Sequence, residues 1–257
     1  MRNLPKGVVL YQGPSEIDGA EIVVVATGFR GSQNPKTGNM VQTWILRADK
    51  SPVDAIHDGS DESICGACPL RGIVDEGRNR RRGCYVTVHQ APRAVWATWK
   101  KGGYNELPTG REGQELFRYR KVRMGAYGDP AAVPYRVWSH ILKLAAGRSG
   151  YTHQWREGRF WRFKSLCMAS VETHEAASRA QAAGWRTFRT STEENDIEEN
   201  EIVCPASAEA GYRLTCETCL ACNGNSRRRG ESAPVSIVIA AHGSPATISS
   251  YRLGVAQ

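Results

Sequence analysis

Three cysteines near the end of the chain, Cys216, Cys219 and Cys222, are each separated by two residues. This spacing brings successive thiols to one side of a turn, as ligation of a zinc ion or an iron-sulfur cluster requires. Cys204, in a Cys-Pro pair, can supply a fourth thiol. The segment predicts a closed metal site of four thiolates, with a 4Fe-4S cluster favoured over zinc. In the alternative, His242 replaces Cys204 and completes a zinc site of three cysteines and one histidine.

A second set of cysteines lies in the first third of the chain. Cys65 and Cys68 are again separated by two residues, and Cys84 follows after 15 more. Two thiols at this spacing can chelate one centre, and a third would leave one iron of a four-iron cluster open to an exogenous ligand. The alternative is a zinc site completed by His57 or His89.

The rest of the chain favours metal ligation over disulfides for these thiols. It contains no apolar run of about 18 residues, and its first residues lack the apolar stretch and cleavage site of a secretory signal. We therefore expect a cytoplasmic protein without a membrane partner, in a compartment that keeps thiols reduced. The remaining cysteine, Cys167, lies in an apolar segment and is predicted to be a buried small hydrophobe.

The chain is basic, with a net charge of +8 and a pI near 9.2. Such a surface attracts phosphate by a long-range, salt-sensitive interaction. Much of the charge lies in three short runs, of which two adjoin cysteines: residues 78–82, 118–123 and 227–229. The pattern predicts a nucleic acid or nucleotide partner. Aromatic residues that could stack on bases are Tyr151, Trp155 and Trp185, at least two of which we expect in the core.

Apolar patterning predicts two regions. Residues 1–60 form a β-rich segment, with strands at 21–27 and 41–46 joined by a Gly-rich and Asn-rich connection. Residues 61–257 alternate between strand-like and helix-like segments. The predicted strands are 84–88, 122–127, 150–155, 167–171, 186–190, 202–204 and 235–241.

Two helices are clear between these strands. One is predicted over 130–146, with Asp129 as N-cap, Pro130 at the first position and Gly147 as C-cap, and the other over about 174–183, ending at Gly184. Alternation of this length favours parallel strands and right-handed crossovers. We therefore expect an α/β fold, a partial or complete (β/α) TIM-like barrel, with the N-terminal β-hairpin region packed on it and two cysteine-rich metal-binding loops.

Function in such barrels is found where strands end at the carboxyl side. The residues expected at or near these ends are Asp129, His153, Glu172, Arg189 and His242. We predict Asp129, His153 and Glu172 as the catalytic candidates.

The two cysteine sets, together with Tyr127-Gly128-Asp129-Pro130 and the later Pro134, resemble radical S-adenosylmethionine enzymes. The Gly-Asp-Pro segment is similar to the Gly-Glu-Pro motif that ends their second strand. The resemblance implies a partial (β/α) barrel and a cluster whose open iron binds S-adenosylmethionine. An electron donor protein is a candidate partner, although the sequence does not identify whether one is needed. The resemblance also implies cofactor contacts from Tyr85, Gly128, Asp129 and Pro130. Those enzymes normally space their cysteines as Cys-x3-Cys-x2-Cys, which differs from this chain.

Over roughly residues 60–245 the chain more closely resembles phage and plasmid proteins of the gene product eighty-eight type. The shared features are a Cys-Pro and Cys-Tyr opening, a Gly-Asp strand end, a Tyr-Thr-x-x-Trp strand, and a late Cys-Pro before clustered cysteines. In this chain they are Cys68-Pro69, Cys84-Tyr85, Gly128-Asp129, Tyr151 to Trp155, and Cys204-Pro205 with the three late cysteines. The resemblance implies a phage or plasmid gene acting in a bacterial host, without specifying an activity.

The leading hypothesis is an iron-sulfur enzyme, radical-S-adenosylmethionine-like, that modifies a nucleic acid or nucleotide. A second is a zinc-dependent enzyme similar to the phage transglycosylases that place deazaguanines in DNA, with Asp129 or Glu172 as nucleophile or base. A third is a non-catalytic nucleic-acid-binding module stapled by two zinc ions. No feature of the sequence predicts the oligomeric state.

Overall fold

The structure is a computed structural model that describes residues 4–32, 34–193, 196–211, 213–225 and 235–255. Its strands are β1 (Gly7–Pro14), β2 (Glu21–Thr27), β3 (Val41–Arg47), β4 (Ile73–Asp75), β5 (Arg78–Arg80), β6 (Asn105–Glu106), β7 (Lys121–Tyr127), β8 (Gly147–Ser149), β9 (Tyr151–Thr152), β10 (Met168–Val171), β11 (Thr187–Ser191), β12 (Glu201–Val203) and β13 (Ser236–Ala240).

The α-helices are α1 (Pro52–Asp58), α2 (Glu62–Cys65), α3 (Ala91–Lys100), α4 (Gly110–Glu115), α5 (Tyr135–Ile141), α6 (His174–Ala182), α7 (Cys216–Cys219) and α8 (Pro245–Val255). Short 3-10 helices span Pro69–Arg71, Pro130–Ala132, Gln154–Arg156 and Gly158–Ser165. Among the described helices, none has both the length and the apolar character needed to cross a bilayer.

Two sheets contain most of these strands. Their strand orders are β6-β1-β2-β3-β7-β8 and β12-β13-β11-β10-β9. The pairs β1–β2 and β2–β3 are antiparallel, and every pair from β3 onward in these two sheets is parallel. The protein is therefore a mixed α/β structure with parallel sheets and helices, as the alternating pattern predicts.

The two sheets meet at Gly150. Strand β8 pairs with β7, strand β9 pairs with β10, and Gly150 is the single residue between β8 and β9. A Cβ atom at this position would lie 3.0 Å from the Cys167 sulfur and 3.1 Å from the Met124 Cβ. The glycine therefore permits close packing where the chain passes from one sheet to the other, and it places the strands on both sides around a common space.

The N-terminal strands belong to the same sheet as the later parallel ones. The predicted strands at 21–27 and 41–46 are confirmed as β2 and β3, which pair with each other. Strand β3 also pairs with β7 on its other side, and its residues Val41, Ile45 and Leu46 are buried in this central position. A domain boundary near residue 60 stays a prediction.

Several other predicted elements are confirmed. The strands predicted at 122–127, 167–171, 186–190, 202–204 and 235–241 correspond to β7, β10, β11, β12 and β13. The second predicted helix is α6, which is followed by Gly184 in the left-handed conformation (φ 80°).

Three local predictions are wrong. The helix predicted over 130–146 is divided into a 3-10 turn and the shorter α5, because Pro134 has no N–H to donate and disfavours helical geometry at Val133. Gly147 therefore begins β8 and caps no helix, although Asp129 is the expected N-cap. Residues 84–88 contain no strand, and the strand predicted over 150–155 ends at Thr152.

Arg189 lies inside β11 and does not mark a strand end. Its guanidinium is 1% exposed and donates to Glu201 (2.9 and 2.6 Å) and to Asp196. The Glu201 side chain is fully buried. The arrangement joins β11 to β12 through an ion pair that is shielded from water, which indicates a structural role for this arginine.

Replacing Arg189 alone should destabilise the fold more than replacing Arg189 and Glu201 together. We expect Arg189→Met to lower the free energy of unfolding by about 3–5 kcal/mol, because Glu201 is left as an uncompensated buried charge. The double variant Arg189→Met/Glu201→Met should recover much of this loss. Urea unfolding followed by circular dichroism measures both. Equal losses in the single and double variants would contradict the assignment.

Candidate metal centres around one cavity

A cavity of about 880 Å³ lies among the strand ends and on the adjoining faces of the two sheets. Its lining includes every cysteine predicted as a ligand: Cys65, Cys68, Cys84, Cys204, Cys216, Cys219 and Cys222. All eight cysteines are free thiols, and Cys167 is buried away from this lining. The two sets are more than a hundred residues apart in the chain, yet they face the same space.

The first set is assembled by a short helix and a tight turn. Cys65 ends α2, and Gly66 turns the chain with φ 54° and ψ −131°, a conformation that side chains with a Cβ rarely adopt. Cys68 then precedes the 3-10 turn that Pro69 begins. The backbone N–H of Cys84 donates to the Leu70 carbonyl at 3.0 Å, which brings the third cysteine back to the first two.

The three thiols are close enough to interact electrostatically. Burial raises the pKa of Cys65 well above its usual range, and the nearby Asp61, Cys68 and Cys84 raise it further. Burial also raises the pKa of Cys84, against the opposing effect of Arg82. Thiolates crowded in this way repel one another, and a bound cation would relieve that repulsion.

Asp129 anchors the first set to the strand ends. Its backbone N–H donates to the Ile64 carbonyl (2.6 Å). Its carboxylate accepts from the backbone of Ala131 (2.9 Å) and His153 (2.8 Å) and from the Gln154 amide (3.0 Å). Three N–H donors therefore surround the side-chain oxygens, so this buried polar group is satisfied by hydrogen bonds.

Gln154 completes this anchor. Its Nε2 also donates to the Cys65 carbonyl (3.0 Å), and its Oε1 accepts from the backbone N–H of Ala67 (3.2 Å). One buried amide thus links the end of β9, the Gly-Asp-Pro turn and the backbone between the first two cysteines.

His153 pairs with Glu172 and lies near Cys68. Its Nε2 lies 2.7 Å from Glu172 Oε1, and its ring is close enough to Cys68 for the two groups to interact electrostatically. Burial lowers the pKa of His153, but Cys68 and Glu172 outweigh it and hold this pKa well above its ordinary value. His153 lines the cavity, whereas Glu172 lies behind it with a side chain that is 5% exposed.

The second set surrounds the other side of the cavity. Cys216 and Cys219 are the first and last residues of α7, whose N-cap Thr215 forms a capping box with Thr218. Leu220 follows in the left-handed conformation, and Cys222 lies beyond it. Cys204 follows β12, and its backbone N–H donates to the Val238 carbonyl (2.8 Å).

These four thiols also interact with one another. Burial raises the pKa of Cys222 to about 12, and Cys204, Cys216 and Cys219 all raise it, while a hydrogen bond from Tyr151 lowers it. Cys204 is 7% exposed, and Cys216 and Cys222 pack against the same apolar cluster. Cys204 therefore lies near the three later cysteines, and its role as a fourth ligand stays a prediction.

Two long-range contacts hold the second set. Arg186 donates to the carbonyls of Ala221 (2.9 Å) and Gly224 (2.6 Å) in the loop around Cys222. The connection between β2 and β3 packs on α7, where Cys216 N–H donates to the Lys36 carbonyl (2.9 Å). The N-terminal region therefore supports a cysteine loop near the other end of the chain.

The residue types suit metal ligation, but in the described part of the chain their geometry does not form a ligand set. Across the described ranges, no group of three Cys, His, Asp or Glu side chains is arranged to hold one ion. His242 is in contact with Lys36 (3.3 Å) and the Ala240 carbonyl (2.8 Å). His57 and His89 are exposed and do not line the cavity. Thiols therefore form the core of both sets.

The other predicted residues are divided between the cavity and the core. Tyr85 and Gly128 line the cavity, but Pro130 is buried beside it and accepts a hydrogen bond from Trp138 (2.9 Å). Trp155 and Trp185 are buried, as expected for at least two of the aromatic candidates, and Tyr151 lines the cavity.

The basic runs serve different purposes. Arg80 pairs with Asp75 and Glu76 at the surface, and Arg118 pairs with Glu115. Arg123, at the end of the second run, lines the cavity. The run at residues 227–229 lies outside the described residues.

Sequence reasoning missed three residues: Gln154, Arg123 as a cavity residue, and Arg186. Gln154 lies within the Tyr-Thr-x-x-Trp segment, the only signal that could have drawn attention to it. Arg123 and Arg186 occur in and beside strand patterns, where an arginine gives no indication of the partners it will meet.

Comparison with protein-family models, curated proteins and solved structures found no match. The resemblances drawn from the motifs therefore stay predictions.

The turn at Gly66 provides a test of the first set. A Cβ atom there would lie 2.4 Å from Gln154 Oε1, so Gly66→Ala must displace the amide that anchors the loop. We expect this variant to lose metal bound by the first set and to unfold at lower urea concentration. Metal analysis and urea unfolding measure the two effects.

Gly102→Ala is the matched control for Gly66→Ala. Gly102 also has a positive φ (70°), but no atom of the described part of the chain lies within 4 Å of the added Cβ. Gly102→Ala should lower the free energy of unfolding by about 1–2 kcal/mol through backbone strain alone, and its metal content should be unchanged. Equal metal content in both variants would show that the Gln154 anchor is irrelevant to the first set.

Proposed function

We propose that the protein is an iron-sulfur enzyme, radical-S-adenosylmethionine-like, that modifies a nucleotide or nucleic acid. The parallel strands would form a partial (β/α) barrel, with a 4Fe-4S cluster on Cys65, Cys68 and Cys84 and a second on the four later cysteines. The observation that carries the proposal is the direct contact between the Gly-Asp-Pro turn and the first cysteine loop.

That contact joins two motifs whose pairing is typical of radical S-adenosylmethionine enzymes. The cysteine loop follows β3, the Gly-Asp-Pro turn follows β7, and these two strands are neighbours in the sheet. The Asp129 N–H to Ile64 carbonyl bond and the Gln154 bridge connect them directly. Two segments about 60 residues apart are thereby joined, which supports the proposal.

The residues of the first site have distinct roles in this proposal. The three thiolates would hold the cluster, whose open iron, when S-adenosylmethionine is bound, supplies the electron for its reductive cleavage. Tyr85 and Gly128 line the space beside these thiols. Asp129 would act mainly as a positioning residue, because its carboxylate is already engaged with three N–H donors.

His153 and Glu172 would tune the first site. A positively charged imidazolium near the Cys68 sulfur would reduce the electron density there, and the charge around a cluster is one determinant of its potential. Glu172 orients the ring from behind. The later site, with four thiolates, has no open position and suits electron transfer or structural support.

A second candidate function is nucleophilic catalysis by Cys68. It is favoured by the proximity of a thiol, an imidazole and an orienting carboxylate, since His153 lies near Cys68 and its Nε2 lies 2.7 Å from Glu172 Oε1. In that case Cys68 would carry no metal.

Metal content decides between these functions. We expect protein purified without oxygen to contain iron and sulfide and to absorb broadly in the visible range. Cys65→Ala should remove the iron of the first set and Cys219→Ala that of the second, because each leaves its centre one thiolate short. Iron, sulfide and zinc analysis of each variant provides the measurement.

Cys167→Ala is the matched control for these variants. Cys167 is fully buried and does not line the cavity, so its loss should leave the iron content unchanged. Stoichiometric zinc in colourless protein would replace the iron-sulfur proposal by a zinc site. Metal-free, folded protein alkylated rapidly at Cys68 would instead favour the thiol nucleophile.

Cofactor cleavage is a separate prediction. With S-adenosylmethionine and a chemical reductant, we expect 5′-deoxyadenosine and methionine in equal amounts, detected by liquid chromatography. Cys68→Ala should abolish the products, because no open iron remains. An iron-replete protein that forms neither product would limit its clusters to electron transfer or structure.

A further inference from the structure

We propose that Arg123 and Ser149, with Gln42 beside them, form a binding site for the phosphate of a nucleoside monophosphate. The inference deepens the proposed function and rests on it for the reaction, though not for the binding. It replaces the general expectation of a nucleic acid or nucleotide by a small substrate within the cavity.

The three residues form a row across neighbouring parallel strands. Gln42 of β3 is the register partner of Arg123 of β7, and Arg123 is the register partner of Ser149 of β8. The side chains of register partners point to the same face of a sheet. Neighbouring strands are about 5 Å apart, so these side chains lie next to each other. All three line the cavity, so polar groups from three strands face the same space.

Two of these residues have unused hydrogen-bonding capacity. Ser149 is 2% exposed, and its Oγ has no hydrogen-bond partner among the residues that the structure describes. Arg123 forms no ion pair with any carboxylate among the described residues, and its Nη2 donates a hydrogen bond to the Tyr85 hydroxyl (3.2 Å). A buried hydroxyl without a partner is costly, and an anion between it and the guanidinium would satisfy both.

The acids of the cavity are already engaged. Asp61 pairs with Arg71 (3.1 Å), Glu209 accepts from the Ala240 N–H (2.9 Å), and Asp129 accepts its three N–H donors. Arg123 thus remains as a cation facing the space between the two cysteine sets. A guanidinium binds phosphate oxygens through two parallel N–H groups, which favours phosphate as its ligand.

Aromatic rings beside the row could bind the base. Tyr85 is 53% exposed and lies 5.4 Å from the ring of His242, with an angle of 50° between the two planes. Both residues line the cavity, and a base stacked on an aromatic ring gains about 1–3 kcal/mol. Since Ser149 is almost fully buried, a terminal phosphate reaches it more readily than a phosphodiester that continues into polymer on both sides.

Arg123 also lies close to Cys216 and lowers the pKa of its thiol, against the raising effect of burial. Support of the second cysteine set is therefore the competing role for this arginine. That role leaves the unpartnered Ser149 unexplained, and it makes a different prediction for the metal content of Arg123 variants.

Calorimetric titration of the anaerobically purified, metal-containing protein tests the site. The probes are the common 5′-ribonucleoside and 5′-deoxyribonucleoside monophosphates, the corresponding nucleosides, inorganic phosphate and a short single-stranded oligonucleotide. We expect at least one monophosphate to bind, with its nucleoside and inorganic phosphate each at least about 10-fold weaker, because each lacks half of the contacts. Tighter binding of the oligonucleotide than of every monophosphate would overturn the choice of a small substrate.

Variants then locate the phosphate. Arg123→Gln should weaken monophosphate binding about 10-fold or more and Arg123→Lys less, while Ser149→Ala, which preserves the packing, should weaken it several-fold. Arg179→Gln removes an exposed arginine outside the cavity and should leave the affinity unchanged. If Arg123→Gln or Arg123→Lys is poorly folded by circular dichroism, Ser149→Ala decides the outcome.

Two results would overturn the site. One is a monophosphate affinity that is the same in Ser149→Ala and in folded Arg123 variants as in the unmodified protein. The other is the absence of monophosphate binding at millimolar concentration. Loss of iron from the second set in Arg123→Gln, with unchanged nucleotide affinity, would assign Arg123 to the cysteines. Nucleotide binding by a protein without iron would retain this site while the proposed function fails. A protein that contains iron and cleaves the cofactor but binds no nucleotide would support the proposed function and overturn the phosphate site.

Discussion

The carboxylate of Asp129 holds together the part of the molecule on which the candidate site depends. It lies at the end of β7, is 6% exposed, and accepts hydrogen bonds from its own turn and from His153 and Gln154 after β9. Through Gln154 the same group determines the position of the backbone around Cys65. Three chain segments therefore converge on one buried carboxyl group, whose oxygens are satisfied by the N–H donors around it.

The second cysteine set depends on a different kind of contact. Arg186 gathers the carbonyl groups of the loop near Cys222, and the connection between β2 and β3 packs on α7 from the opposite side. Gly150 lies between the strands of the two sheets, and because it has no Cβ the Cys167 side chain can pack closely against it. The Gly150 N–H donates to the Cys222 carbonyl at 3.0 Å. The two sets thus face one cavity because the sheets meet beside the second loop.

Local patterns in the chain were sufficient for much of the secondary structure. Strands such as β2 and β13 are continuous apolar runs, and α6 has its Thr173 N-cap and its terminal glycine. The prediction was wrong where a competing local rule prevailed, as at Pro134, where apolar periodicity continued through a residue that interrupts the helix. Residues 84–88 have strand-like composition, but they form a loop that follows the Cys84 contact with Leu70.

The grouping of the thiols could be read from the amino-acid order, because a Cys-x2-Cys spacing is closed within about one turn of chain. The placement of Asp129 after a strand could be read in the same way. The bridge from Gln154 to Cys65, the row of Gln42, Arg123 and Ser149, and the shared cavity arise only in the folded protein. Each of these joins residues that are tens of positions apart, and side-chain periodicity carries no information about which strands become neighbours or which polar groups then meet.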